Sequence, residues 1–86
     1  MKIALHQNVK KRYKKLNASE QRHFKERRDL FLTHPFHALL NNHALQGKYA
    51  GCRSINITGD FRAIYEEIDE DIAYFIALGT HAELYG

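Results

Sequence analysis

Eighty-six residues with a single cysteine exclude an internal disulfide and leave room for one modest core, since a chain this short buries about 60–65% of the surface it exposes when unfolded. One domain over residues 1–86 is expected, in a reducing compartment, the cytoplasm. The net charge of +3 hides an asymmetry: residues 1–49 carry eleven Lys/Arg against three acids, a net of +8, and residues 50–86 carry two against seven, a net of −5. A basic half suggests an anionic partner such as nucleic acid, and a solvated lysine-rich helix face gives the same composition. Met1 to Leu5 is too short for the apolar stretch of a signal peptide. No run approaches the roughly 20 apolar residues of a membrane helix, so no membrane partner is expected.

Lys2 to His6 alternates weakly and reads as a first strand. Asn8 then offers a cap to a helix over Val9–Leu16, where Val9, Tyr13 and Leu16 fall at i, i+4 and i+7 on one apolar stripe. Lys10, Lys11, Arg12, Lys14 and Lys15 point away from it. Asn17-Ala18-Ser19-Glu20 has capping-box spacing and opens a second helix, with Phe24, the stem of Arg28, Phe31 and Leu32 on its stripe. His34-Pro35 ends that helix, because the residue before proline is pushed out of the α region. Pro35 to Asn42 reads as a turn that packs Phe36, Leu39 and Leu40 inward. In His34-Pro35-Phe36-His37 the proline disrupts the geometry that would put both histidines on one helix face, and no Cys/His set follows at metal spacing. No metal and no cofactor is expected.

The last third carries three strand-like runs. In Ala50–Ile57, Arg53, Ile55 and Ile57 share one side of the pleat, and Cys52, Ser54 and Asn56 the other. Thr58-Gly59-Asp60 marks a hairpin, Phe61–Tyr65 a second strand, Glu66–Asp71 an acidic turn and Ile72–Leu78 a third strand. The order β-α-α-β-β-β predicts an α+β fold: two N-terminal helices on one face of a small, mostly antiparallel sheet. The opposite face is then free to bind.

Several side chains suit chemistry on that face. His81 lies just past a strand end in a segment too polar for core, and imidazole titrates nearest neutral pH. A tail histidine, or a cap on a final helical turn over Ala82–Leu84, reads the same. His43 sits in a loop entering the first long strand, where functional groups are common and ordinary backbone-bonded histidines are too. Asp60 is either a turn residue or a proton acceptor. Arg62 and Arg53 interrupt strands, each aimed at an anion or lying along a sheet edge. Tyr85 can stack on a nucleobase or pack over the end of the sheet. The run Lys10, Lys11, Arg12, Lys14 and Lys15 suits salt-sensitive phosphate contacts, as along ribosomal RNA.

From about His43 to Gly86, HALQGKYAGCRSINITGDFRAIYE followed by GTHAELYG resembles the RelE/ParE superfamily of toxins from bacterial toxin–antitoxin pairs, and in particular the YafQ-type messenger-RNA interferases. The combination H-x-L-x-G with GTHxxLxG carries the resemblance. It implies the RelE-like layout given above, a metal-independent endoribonuclease cleaving mRNA in the ribosome's decoding site, and a cognate antitoxin. It also implies an active centre containing His43, Asp60 and His81, with Arg62 on the scissile phosphate, Arg53 from a Tyr-Arg dipeptide and Tyr85 at an aromatic position. Two residues depart from the pattern. Asn56 stands where a histidine is usual and can bond a phosphate or a base without carrying a proton; Cys52 replaces a tyrosine. The ParE branch, which poisons DNA gyrase by protein contact, is the alternative, as is a toxin that binds its antitoxin and cuts nothing.

Overall fold

A computed structural model describes residues 1–86. The elements run β1 (Lys2–Leu5), α1 (Gln7–Lys14), α2 (Ala18–Thr33), a 3-10 turn (Ala38–Leu40), β2 (His43–Ala44), a second 3-10 turn (Gly47–Tyr49), β3 (Arg53–Asn56), β4 (Phe61–Asp69), β5 (Ile72–Thr80) and α3 (His81–Tyr85). All five strands join one sheet in the order β1-β5-β4-β3-β2, antiparallel except where β1 runs parallel to β5. The α+β class and the mostly antiparallel sheet agree with the sequence reading; β2 is added to it, and the final helical turn weighed over Ala82–Leu84 is present as α3. No helix is long and apolar enough to cross a membrane.

Helix α1 starts earlier than expected. His6 keeps the extended backbone of β1, and its Nδ1 accepts from the Asn8 N–H at 3.0 Å, so His6 rather than Asn8 caps the first turn. Helix α2 starts as its spacing dictates: Asn17 Oδ1 accepts from the Glu20 N–H at 2.8 Å, and Glu20 Oε1 accepts from the Asn17 N–H at 3.0 Å. It stops at Thr33, ahead of Pro35.

Val9 and Leu16 meet Phe24 and Phe31 of α2 in one buried cluster with Ile55, Ile57, Ala63, Tyr65, Ala73, Phe75 and Leu78 of the sheet, joined by Leu40. Phe31 stands edge-on to Tyr65 and Phe75, with centroids 5.0 and 5.5 Å away. Truncating it to alanine would cost about 3–5 kcal/mol. Of Phe36, Leu39 and Leu40, all expected inward, only Leu40 is buried. The 3-10 turn Ala38–Leu40 has one inward side, which Leu40 takes while Leu39 faces solvent, and Phe36, ahead of the turn, is exposed as well.

The acidic run is not a turn over its whole length. Glu66 to Asp69 extend β4, with Glu66 opposite Tyr74 and Glu67 opposite Ala73, and only Glu70 and Asp71 reverse the chain. The ladder with an apolar partner strand outweighs the low strand preference of the acids. Asp69 Oδ1 accepts from the Asp71 N–H at 2.7 Å and closes the reversal. A bulge interrupts β5: Ile64 pairs with Ala77 and Tyr65 with Phe75, leaving Ile76 extra. That residue resets the pleat, so Phe75 and Leu78, three apart, both reach the core, while Ala77 and Gly79 turn to the side of Ile64 and Arg62.

Candidate active site

The C-terminal segment, read from the sequence as a tail or a final helical turn over Ala82–Leu84, is a helix folded back on β5, with Thr80 rather than His81 at its cap. Thr80 caps it reciprocally with Glu83: Thr80 Oγ1 accepts from the Glu83 N–H at 3.1 Å, and Glu83 Oε1 accepts from the Thr80 N–H at 2.9 Å. Arg12 adds a contact from α1, with Nη2 3.0 Å from Glu83 Oε1. The Thr80 amide first, and then the guanidinium, lower the Glu83 carboxyl below its usual value. Leu84 is the buried residue of α3. Gly79 permits its close approach, since a Cβ there would lie 3.3 Å from Glu83 Cβ and 3.5 Å from a Leu84 methyl. Thus α3 presents His81 and Tyr85 one turn apart, their rings 4.8 Å centroid to centroid, and Tyr49 stands edge-on to Tyr85 at 5.8 Å.

His43 comes from the other end of the sheet. It opens β2, whose two residues pair with Ser54 and Arg53. Ahead of it Asn41 adopts a left-handed backbone, φ 44°, which asparagine tolerates better than other side chains. The Asn41 carbonyl lies 2.8 Å from His43 Nδ1. A carbonyl oxygen only accepts, so Nδ1 carries the hydrogen and the neutral ring offers the Nε2 lone pair as a base. Asn42 anchors the same loop inward: its Nδ2 donates to the Pro35 carbonyl at 2.9 Å and to Tyr65 Oη at 2.8 Å, and its Oδ1 accepts from Arg53 Nε at 2.7 Å.

These two ends meet in an open cleft of about 370 Å³ lined by Asn41, His43, Leu45, Gln46, Ser54, Arg62, His81 and Tyr85. Arg62 Nη1 donates to the carbonyls of Thr58 and Gly59 at 3.2 and 3.1 Å, and no carboxylate pairs with it (the ion pairs are Met1–Asp71, Arg12–Glu83 and Arg28–Asp29). A guanidinium fixed by neutral carbonyls and lacking a counter-ion is suited to an anion. The cleft therefore gathers two imidazoles, one arginine and one aromatic ring.

Other candidates lie elsewhere. Asp60 is exposed at the hairpin, its N–H bonded to Thr58 Oγ1 at 3.2 Å, and does not line the cleft. Asn56 borders a neighbouring groove of about 310 Å³ with His23, Arg27 and Leu39. Arg53 faces the core side, bonded to Asn42 and stacked over Phe36 at 5.2 Å. Lys10, Lys11, Lys14 and Lys15 are exposed, and Lys10 and Lys14 rim a separate groove between α1 and α2. Arg12 leaves that run for Glu83 and the Phe61 ring. The metal-suggestive pair has local tasks: His34 Nδ1 lies 3.0 Å from Thr33 Oγ1, and His37 Nδ1 accepts from the Leu39 N–H. Ser54, Asn41 and Gln46 carry no role in the sequence reading, and Leu45 enters it only as the leucine of H-x-L-x-G. Strand parity beside Asn56 was the one signal for Ser54.

The family model described as "Bacterial toxin of type II toxin-antitoxin system, YafQ" matches residues 1–86. The chain belongs to the YafQ toxin family. It is thus a toxin of a toxin–antitoxin pair. Among solved structures it is similar to a YafQ point mutant from E. coli, at 26% identity and a TM-score of 0.77, covering 99% of this chain and 98% of that one. The YafQ of an E. coli DinJ–YafQ complex matches at 26% identity and a TM-score of 0.74, with the same coverage. A YoeB/ParE toxin from Agrobacterium tumefaciens, 21% identical, shares the fold at a TM-score of 0.77 over 94% of this chain and 99% of that one. No curated protein matches the sequence.

Proposed function

We propose that this YafQ-family chain is an endoribonuclease that cleaves messenger RNA in the ribosome, and that an antitoxin holds it inactive. The observation that carries the reading is the convergence of His43 and His81 on one cleft beside the unpaired Arg62. His43 Nε2 takes the proton of a ribose 2′-hydroxyl, and the 2′-oxygen attacks the adjacent phosphorus. Arg62 stabilises charge on the non-bridging oxygens. Protonated His81 delivers a proton to the departing 5′-oxygen as the P–O5′ bond breaks. The products are a 2′,3′-cyclic phosphate and a 5′-hydroxyl. With Asp60 outside the cleft, the base role falls to His43 alone, and Asn56 is not needed for either transfer. Tyr85, in contact with His81, offers a stacking surface for a base. The exposed lysines of α1 supply sequence-independent attraction to RNA. Partner structures of the DinJ–YafQ kind support a cognate antitoxin.

Mapping transcript 5′ ends after tightly controlled expression tests the reading. New 5′-hydroxyl ends that vanish in His81→Ala and His43→Ala are expected. Growth arrest that persists in both variants without new ends would overturn it in favour of a protein-binding toxin such as a gyrase poison.

A further inference from the structure

We propose that Ser54 is the residue with which the cleft distinguishes ribose from deoxyribose, an inference that rests on the ribonuclease reading above. Ser54 is the cross-strand partner of His43 on one side and of Ile64 on the other. It is fully buried, the single polar residue in the molecule that is. Its Oγ neither donates nor accepts a hydrogen bond anywhere in the chain. Yet Ser54 lines the cleft shared by His43, Arg62 and His81. A hydroxyl shut away from water without a partner is destabilising, and its ordinary resolution is a hydrogen bond or replacement by alanine. The cleft lies against this residue, so a substrate atom supplies the missing partner once a small shift of the covering side chains uncovers the hydroxyl.

The neighbours say which atom. Arg62 already supplies a cation for the phosphate, and it lies one register further along the sheet, opposite Asn56. Ser54 lies directly beside the histidine that would deprotonate the sugar. A ribose 2′-hydroxyl both donates and accepts. With its hydrogen directed to His43 Nε2, its oxygen keeps lone pairs free, and the Ser54 O–H donates to one of them. The contact holds the nucleophile toward the phosphorus and is lost when the 2′-oxygen is absent.

The test uses the full chain carrying His81→Ala, which binds without turnover, and an oligonucleotide spanning a mapped cleavage site. Affinity is compared for the all-ribose form and for the form with a single 2′-deoxy substitution at the cleaved nucleotide. The chain with Ser54 intact should favour ribose through both His43 and Ser54, and Ser54→Ala should cut that preference about tenfold by weakening only the ribose form. Thermal stability of Ser54→Ala should equal or exceed that of the parent, because the hydroxyl has no partner in the free protein. A ribose preference undiminished in Ser54→Ala, or a marked fall in its stability, overturns the assignment and leaves the nuclease reading intact. An unmutated chain that cuts no RNA overturns both.

Discussion

The guanidinium of Arg12, on the first helix, reaches both carboxylate oxygens of Glu83, on the last, at 3.0 and 3.3 Å. It therefore ties the N-terminal half to the short helix carrying His81 and Tyr85. A five-residue helix is far below the length that is stable alone, so this tie, the Thr80 cap and buried Leu84 fix where the imidazole points. Because the pair is partly exposed, it contributes under about 1 kcal/mol to folding. Its larger effect is on geometry. Arg12→Ala should lower kcat for RNA cleavage about tenfold with little change in KM or melting temperature, a split expected of misplacement rather than weaker binding. Loss of KM alone would return Arg12 to the RNA-contacting run in which its sequence neighbours place it.

Glu83 also sets part of the acid limb of stability. Its carboxyl lies below the usual value of 4.5 in the folded protein, chiefly through the Thr80 N–H and then Arg12. A depressed folded value means the contribution is fully present above 4.5 and is lost as pH falls through the lower folded value. Melting temperature followed from pH 6 downwards should therefore drop less steeply in Glu83→Gln than in the parent. Parallel curves would show that the carboxylate is not coupled to folding.

Which features were legible follows from whether their cause is local. The α2 cap, its stop before Pro35 and the parity of Arg53, Ile55 and Ile57 are set by near neighbours, and all three read directly from the sequence. His43 and His81 were visible through the motif that spans them. By contrast, the cap at His6 depends on where β1 leaves its partner strand, and the two-residue β2 exists only because β3 offers an edge. The extra Ile76 in β5 shows only in the cross-strand register, and that bulge sets which side of the sheet Ala77 and Gly79 face. Asp60 and Asn56 sit close in sequence to cleft residues, yet turn geometry and the short reach of β2 leave them outside. Glu66–Asp69 looked like a turn because acids disfavour strands, and the pairing with Ala73 and Tyr74 overrode that preference.

The Asn42 network should carry more stability than its exposure suggests. Burial first of all raises the Tyr65 phenol above its usual value of 10, against the lowering pull of its bond from Asn42. Tyr65→Phe removes one acceptor and leaves Asn42 bonded to Pro35 and Arg53, for a loss of about 1 kcal/mol. Asn42→Ala strips the partner from Tyr65, Arg53 and the Pro35 carbonyl together, and should cost about 2–3 kcal/mol. Chemical denaturation of the two variants measures both. Equal losses would mean that the phenol contact is the whole of the network's contribution.

The tautomer of His43 is the last point that a substitution can isolate. Its Nδ1 hydrogen goes to the Asn41 carbonyl, and that carbonyl is aimed by a left-handed backbone. Glycine enters this conformation freely, whereas a β-branched side chain there costs about 1–2 kcal/mol and drives the peptide toward a flip. Asn41→Gly should thus keep the carbonyl in place and retain most of the activity. Asn41→Val should release Nδ1, let the ring turn, and reduce kcat up to about 100-fold, the order of loss that a misplacement of about 1 Å produces. Equal loss in both variants would mean that the asparagine side chain, not its carbonyl, acts on the cleft.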